Sequence, residues 1–241
     1  MTQLRLQKIL AAAGIDSRRN CEQLILEGLV RVNNKVVDTL PVFADPQKDV
    51  ITVNGQKIQS EQKLYFLLNK PGEAVCSDID PKGRKKARDF INTSKRIIPA
   101  DRLDAGTAGL VILTNDIDLV NSFTDKRFEL PQVYVARVGG QIRSEEVEKL
   151  KKGVLLAKGR ASRALVKVLS RSYKESIVEI TIRQGLNSQV RTMLVRLGLS
   201  VKSLTRTRIG RLTARGLGIG RYRVLTSSEI THLKQFKSTL A

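Results

Sequence analysis

The chain has 241 residues, 41% of them hydrophobic, and 43 Lys and Arg against 23 Asp and Glu give a formal net charge of +20. That much apolar material builds one or two folded cores and excludes a disordered basic tail. No apolar run reaches the roughly 20 residues that span a bilayer, and the start, Met1-Thr2-Gln3-Leu4-Arg5, lacks the parts of a secretion signal, so a cytoplasmic protein with no membrane partner is expected.

In chain order, Leu4, Leu6, Ile9 and Leu10 recur at helical spacing and run into Ala11-Ala12-Ala13, with Gly14 as a stop. Ser17 is placed to cap a second helix whose apolar stripe is Cys21, Leu24, Ile25 and Leu29, with Gly28 near its end. Strand patterns follow: Val30-Arg31-Val32-Asn33, with Val36-Val37 beyond an Asn-Lys turn, and Val50-Ile51-Thr52-Val53 before the hairpin signal Asn54-Gly55. This first domain, residues 1–60, resembles the S4-type RNA-binding domain over Arg5-Leu6-Gln7-Lys8, Gly14-Ile15-Asp16-Ser17-Arg18-Arg19, Glu27-Gly28-Leu29-Val30-Arg31-Val32-Asn33 and Asp49-Val50-Ile51. The resemblance implies that two helices present basic residues to structured RNA. Lys8 on the first helix and Arg18 and Arg19 at the start of the second are expected to contact phosphates.

The polar stretch 59–62 reads as a linker, and a second domain is expected over 63–241. Leu64-Tyr65-Phe66-Leu67-Leu68 is a short apolar run closed by Asn69-Lys70-Pro71-Gly72, and further strand patterns lie at 110–114, 132–138, 164–170, 176–183, 201–208 and 221–225. Between them, Ser144 precedes Glu145 and Glu146, while Lys149, Lys151 and Lys152 come before Gly153, the charge order of a helix. A last helix is announced by the capping box Thr226 and Glu229. Many strands without sustained strand–helix alternation predict an α+β protein, a small α/β domain followed by one with a mixed, largely antiparallel sheet. From Leu156 to Arg223 there are 16 Lys or Arg against only Glu175 and Glu179. Such an excess suits a nucleic-acid backbone, and its spread over strand-like segments argues against a membrane-binding helix.

One segment places a carboxylate where chemistry could happen. In Arg102-Leu103-Asp104-Ala105-Gly106-Thr107-Ala108-Gly109, followed by Leu110-Val111-Ile112-Leu113, Asp104 sits on a glycine-broken turn held by a rigid apolar strand. Taken alone, Asp104 is as readily a turn-former. Tyr134 shares a strand face with Gln132 and Ala136 and could be a core residue, while Arg191 opens an apolar helical stretch where phosphate contact is the rival role. Cys21, Cys76 and the lone His232 are too few for a disulfide framework, a metal cluster or Ser-His-Asp catalysis, so no metal is expected and the cysteines read as buried or half-buried thiols. The glycines at 106 and 109 lead into a strand rather than a phosphate-clamp helix, and Gly216, Gly218 and Gly220 form no dinucleotide fingerprint.

These motifs, in this order, resemble the RNA pseudouridine synthases typified by the ribosomal small-subunit enzyme and its large-subunit relatives. The matching residues are Leu67-Leu68-Asn69-Lys70-Pro71, Arg102-Leu103-Asp104 with Thr107, Gly109-Leu110 and Leu113-Thr114-Asn115-Asp116, and Tyr134-Val135-Ala136-Arg137-Val138. Asn187 with Gln189-Val190-Arg191 matches a third motif, and Leu204, Arg206, Ile209-Gly210, Leu217 and Gly220-Arg221 match the tail. The resemblance implies an isomerase that converts a specific uridine of ribosomal RNA to pseudouridine, without a cofactor. Asp104 would be the essential carboxylate, as nucleophile at the anomeric carbon or as base toward a sugar proton, and Arg191 would hold it bidentately. Tyr134 would lie on the uracil face with its hydroxyl available for proton transfer, Arg102 would splay the target nucleotide, and Asn187 and Gln189 would bind substrate. Ribosomal RNA or a ribosome assembly intermediate is the implied partner, and a monomer is expected. The competing expectation is a noncatalytic RNA-binding or ribosome-assembly protein of the same fold. The chain departs from the family pattern at Leu186, Ser188 and Thr192, where arginine is expected, at Gln132 in place of a basic residue, and at Asp101 in place of glycine.

Overall fold

The computed structural model describes residues 3–59, 62–125, 128–156, 161–183 and 189–238. The chain divides into two units, the first formed by Met1–Leu64 with the short returns Thr93–Arg96 and Asn115–Ile117, the second by the remainder.

The first unit contains β1 (Leu4–Arg5), α1 (Leu6–Ala12), α2 (Arg18–Leu26), β2 (Val30–Val32), β3 (Lys35–Val37), β4 (Phe43–Ala44), β5 (Ile51–Val53) and β6 (Gln56–Lys57). Leu4 stands outside the first helix: it pairs with Ala44, and the Leu6 amide donates to Val42 O at 2.8 Å, which holds the entry extended. Ser17 caps α2 as its position suggests, its hydroxyl accepting from the Asn20 amide at 3.1 Å. Leu6, Leu10, Cys21, Ile25 and Val30 form the centre of a core over the sheet β3-β2-β5-β6. The first hairpin turns on Asn33-Asn34 rather than on Asn34-Lys35, because both asparagines take positive φ (50° and 65°) and Lys35 already pairs with Val32. Asn54-Gly55 turns the same way, with φ of 50° and 78°, the geometry that matches the twist of the strands it joins.

The second unit runs through β7 (Tyr65–Lys70), a 3-10 turn at Ala87–Phe90, β8 (Ile98–Pro99), β9 (Thr107–Thr114), α3 (Ile117–Thr124), β10 (Gln132–Gly139), α4 (Ser144–Lys152), β11 (Val154–Leu155), β12 (Ala161–Ser162), β13 (Leu165–Arg171), β14 (Glu175–Ile182), α5 (Gln189–Arg196), β15 (Val201–Ile209), β16 (Leu212–Thr213), β17 (Tyr222–Val224) and α6 (Ser227–Ser238). Nine strands form one sheet in the order β13-β14-β10-β15-β9-β7-β17, with β16 on β15 and β8 on β9. Only the β15–β9 pairing is parallel, so the sheet is mixed and largely antiparallel, as the strand-rich pattern predicts. Tyr65, Leu67, Leu110, Ile112, Leu119, Leu130, Ile209 and Leu233 centre its core.

Local chemistry fixes the ends. The Glu229 carboxylate accepts from the Thr226 amide at 2.9 Å and the Thr226 hydroxyl accepts from the Glu229 amide at 3.3 Å, closing the predicted box, and the Arg223 guanidinium grips the same carboxylate. Helix α4 takes Arg143 as its N-cap, with the Glu146 carboxylate accepting from the Arg143 amide at 2.8 Å. β7 runs past its apolar run to Lys70, whose fully buried ammonium donates to Pro71 O at 2.8 Å and Ala74 O at 2.7 Å; burial pulls its pKa below the ordinary lysine range. Cys21 and Cys76 are both buried thiols.

One row crosses three strands: Gly109 on β9 pairs with Arg206 on β15, which pairs with Tyr134 on β10. Gly109 takes φ of +108°, and a Cβ there would stand 2.2 Å from Arg206 O. Gly109→Ala therefore combines an unfavourable backbone with a clash against main chain that cannot swing aside. It should destabilise the second unit by about 2–5 kcal/mol, measured by denaturant unfolding; a loss under about 0.5 kcal/mol would show that β9 and β15 can separate without consequence.

Candidate active site

The turn before β9 sets Asp104. Gly106, at φ +92°, reverses the chain; its amide donates to Gly72 O at 2.8 Å, and the Thr107 amide donates to Asp104 O at 3.1 Å. The Thr107 hydroxyl then donates to Asp104 Oδ1 in a short contact, and Arg191 Nε donates to Oδ2 at 2.7 Å. Arg191 Nη2 donates to Thr107 Oγ1 at 3.1 Å rather than to the carboxylate. The expected bidentate grip is thus replaced by a fork closed on one carboxylate oxygen and one hydroxyl, because Thr107 has already taken Oδ1. The arrangement still fixes the carboxylate at both oxygens, and each oxygen keeps a second lone-pair direction.

A second Arg–Asp pair lies behind it. Arg206 is 1% exposed; its Nη1 and Nη2 grip both oxygens of Asp101, Nη2 to Oδ1 at 2.9 Å, while Nε donates to Leu110 O at 2.8 Å. Burial by itself would lower the Arg206 pKa, but attraction to Asp101 outweighs it and the group is held above the usual arginine range. Nη1 also donates to Gln132 Oε1 at 2.9 Å, and the Tyr134 hydroxyl donates to that same oxygen at 3.0 Å. Burial pushes the Tyr134 phenol above its ordinary pKa, with Arg206 partly opposing.

Arg102, Leu103, Asp104, Tyr134, Gln189, Val190, Arg191 and Leu204 line one small cleft. Asp104, Tyr134, Arg191, Arg102 and Gln189 of the expected site are therefore brought together, with Arg102 exposed and Gln189 buried at the start of α5. Asn187 lies outside the described residues, as do Leu186 and Ser188. Lys8, Arg18 and Arg19 belong to the first unit, on α1 and at the start of α2, and both arginines are exposed. Three further residues bond to this group without a role that the sequence assigns them: Thr107, a motif match, Asp101, a departure from the family pattern, and Arg206, a match in the tail. Asp101 and Gln132, two departures from the family pattern, meet on the Arg206 guanidinium. Among the described residues no group of three or more His, Cys, Asp or Glu could hold a metal ion, and no helix is long and apolar enough to cross a membrane.

A family profile described as RNA pseudouridylate synthase matches residues 64–195, and an S4 domain profile matches residues 4–40. The chain is 42% identical over 233 residues to the ribosomal large subunit pseudouridine synthase B of Bacillus subtilis, covering 95% of both proteins. It is 35% identical over 237 residues to the dual-specificity RNA pseudouridine synthase RluF of Escherichia coli, covering 95% of this chain and 78% of that protein. A crystal structure of a pseudouridylate synthase superposes with a TM-score of 0.69 at 28% identity, covering 95% of this chain and 99% of the other.

The shared hydroxyl makes Asp104, Thr107 and Arg191 a coupled unit. Thr107→Val and Arg191→Lys should be non-additive in unfolding free energy by about 0.5–1.5 kcal/mol, the range for groups in one network. Additivity within about 0.3 kcal/mol in a double-mutant cycle would show that Thr107 Oγ1 is not their common node.

Proposed function

The chain belongs to the RNA pseudouridine synthase family, and on that premise we propose that it isomerises a uridine of ribosomal RNA in the Asp104 cleft, with its S4 domain as a second RNA contact. The reaction breaks the bond from uracil N1 to the ribose anomeric carbon, turns the base, and joins C5 to that carbon. C5 loses a proton and N1 gains one, so the product is an isomer and no electrons or groups are exchanged with a third party. The observation that carries the assignment is the Asp104 carboxylate held by Thr107 and Arg191 in a cleft that Tyr134 also lines.

Asp104 acts on the sugar, either by attack at the anomeric carbon or by removal of a sugar proton; both roles use the lone pairs that Thr107 and Arg191 leave open. Arg191 orients the carboxylate. Tyr134 supplies a ring surface against uracil. Its hydroxyl hydrogen is engaged with Gln132 and its phenolate is disfavoured by burial, so the geometry supports ring contact over proton abstraction by the phenolate. Arg102, exposed at the cleft, suits the displacement of a nucleotide from its stack, and Gln189 offers both donor and acceptor to the uracil edge. The ribosomal large-subunit name of the Bacillus subtilis relative supports large-subunit RNA, free or in an assembly intermediate, as the substrate. Work on ribosomal RNA supports a cytoplasmic location.

Pseudouridine mapping of ribosomal RNA with and without the protein tests the reading directly: one site should be lost in its absence, and an unchanged map would leave the chain a binding protein. Asp104→Asn should lower isomerisation by at least about three orders of magnitude, as removal of a reacting group does, while RNA affinity stays within several-fold. Equal product from mutant and wild type would remove Asp104 from the chemistry.

Replacing Lys8, Arg18 and Arg19 together with Ala should weaken RNA binding and lower its salt dependence by roughly 0.7–0.9 counterion equivalents per lost phosphate contact. An unchanged slope of affinity against salt would mean that this face of the S4 domain does not meet the RNA backbone.

A further inference from the structure

We propose that Asp101 is a positioning residue for Tyr134, acting through the buried Arg206 guanidinium and the Gln132 amide to fix where the tyrosine stands in the reaction cleft. The proposal rests on the reading of that cleft as the site of isomerisation. Asp101 lies three residues before Asp104 on the same segment, whereas Tyr134 and Gln132 are on β10 and Arg206 is on β15. The route between them is continuous: Asp101 accepts both Nη arms of Arg206, Arg206 Nη1 donates to Gln132 Oε1, and the Tyr134 hydroxyl donates to the same oxygen.

Each step removes a freedom. A planar guanidinium gripped at both ends by one carboxylate, with Nε tied to Leu110 O, has a set plane. Its Nη1 then has one direction left, toward Gln132. That contact decides which end of the Gln132 amide faces inward, since only the oxygen can accept from Arg206. The same oxygen receives the phenolic hydrogen, so the ring is held at its far end as well as at its backbone. Without the Asp101 charge, the nearest strong acceptor for Arg206 is gone from the buried site, and the guanidinium is free to reorient and draw Gln132 and Tyr134 with it. The charged groups acting on Tyr134 are Arg206 from β15 and Asp101 and Asp104 from the turn.

A merely structural Asp101 would steady the fold without governing the tyrosine, and the test separates the two. Single-turnover rates and RNA dissociation constants are measured for wild type and Asp101→Asn. In parallel, the phenols of protein labelled with 13C at tyrosine Cζ are titrated by NMR, with the Tyr134 signal assigned by Tyr134→Phe. Asp101→Asn should slow turnover roughly 10- to 100-fold, the scale of a small misplacement of a reacting partner, with the dissociation constant within about threefold. Its Tyr134 should titrate at lower pH, because a negative charge near the phenol is gone. Adding Gln132→Glu, which returns a carboxylate to Arg206 at an oxygen already bonded to it, should bring both rate and titration back toward wild type. A folded Asp101→Asn with wild-type rate and unmoved Tyr134 titration overturns the proposal. If Asp101→Asn does not fold, Gln132→Met leaves the Asp101–Arg206 pair intact and removes the shared oxygen through which the proposal runs, while the direct approach of Arg206 to the Tyr134 ring, 6.0 Å from guanidinium carbon to ring centre, stays. It should show the same loss of rate, and a wild-type rate there is equally decisive against the idea. A wild-type protein that makes no pseudouridine would instead refute the isomerase reading, so the two failures are distinct.

Discussion

A guanidinium sealed inside a sheet cannot shed its proton, so its charge has to be answered where it stands. Removing such an ion from water costs several kcal/mol, and only good geometry with saturated hydrogen bonding offsets that. Arg206 meets the demand with Asp101, Leu110 O and Gln132 Oε1. These groups come from the turn before β9, from β9 and from β10, so satisfying one charge ties the Asp104 turn to two strands. Gly109 makes the arrangement sterically possible by letting the main chains of β9 and β15 approach. Removing one partner of such a pair typically costs 3–5 kcal/mol, a large part of the stability of an ordinary domain.

The two Arg–Asp pairs divide the work by their exposure. Arg206–Asp101 is closed to water, whereas Arg191–Asp104 stands at a cleft with both side chains partly exposed. A polyanionic substrate would compete with a carboxylate for any accessible guanidinium. Enclosure protects the first pair from that competition; for the second, the bond from Arg191 to Thr107 gives the guanidinium a neutral anchor that phosphate does not displace by charge alone. The basic excess of the second half is accordingly smaller in effect than its count suggests, since Arg191, Arg206 and Arg223 are all engaged with carboxylates.

The strands, the α+β class and the meeting of Asp104, Tyr134 and Arg191 at one cleft were legible because each follows from short-range pattern or from a motif. The Asp101–Arg206 pair was not, for a physical reason: its members are 105 residues apart and neither looks buried in its own neighbourhood. Strand alternation would have exposed the clue only with the bulge in hand. Leu204 and Arg206 face inward on β15, but the pairing skips Thr207, and the buried position after the skip is Ile209 rather than Arg208. A bulge shifts the phase of a strand, so the run Arg206-Thr207-Arg208 reads as an exposed basic edge. Thr107 was hidden differently, because its role depends on where the Arg191 side chain reaches from α5. Lys70 looked like the end of a strand, yet the carbonyls of Pro71 and Ala74 supply the partners that let it go under.

The position of β15 in the sheet also sets an order of assembly during synthesis. It lies between β10 and β9, so every strand pairing that joins β13-β14-β10 to β9-β7 runs through it. The ribosome delivers Asp104 and Tyr134 long before residues 201–209 emerge, and until then the two blocks of strands have no ladder between them. A nascent chain thus carries the carboxylate and the tyrosine without the strand that sets their spacing. The cleft that Asp104, Tyr134 and Leu204 line is therefore completed only when β15 takes its place between β9 and β10.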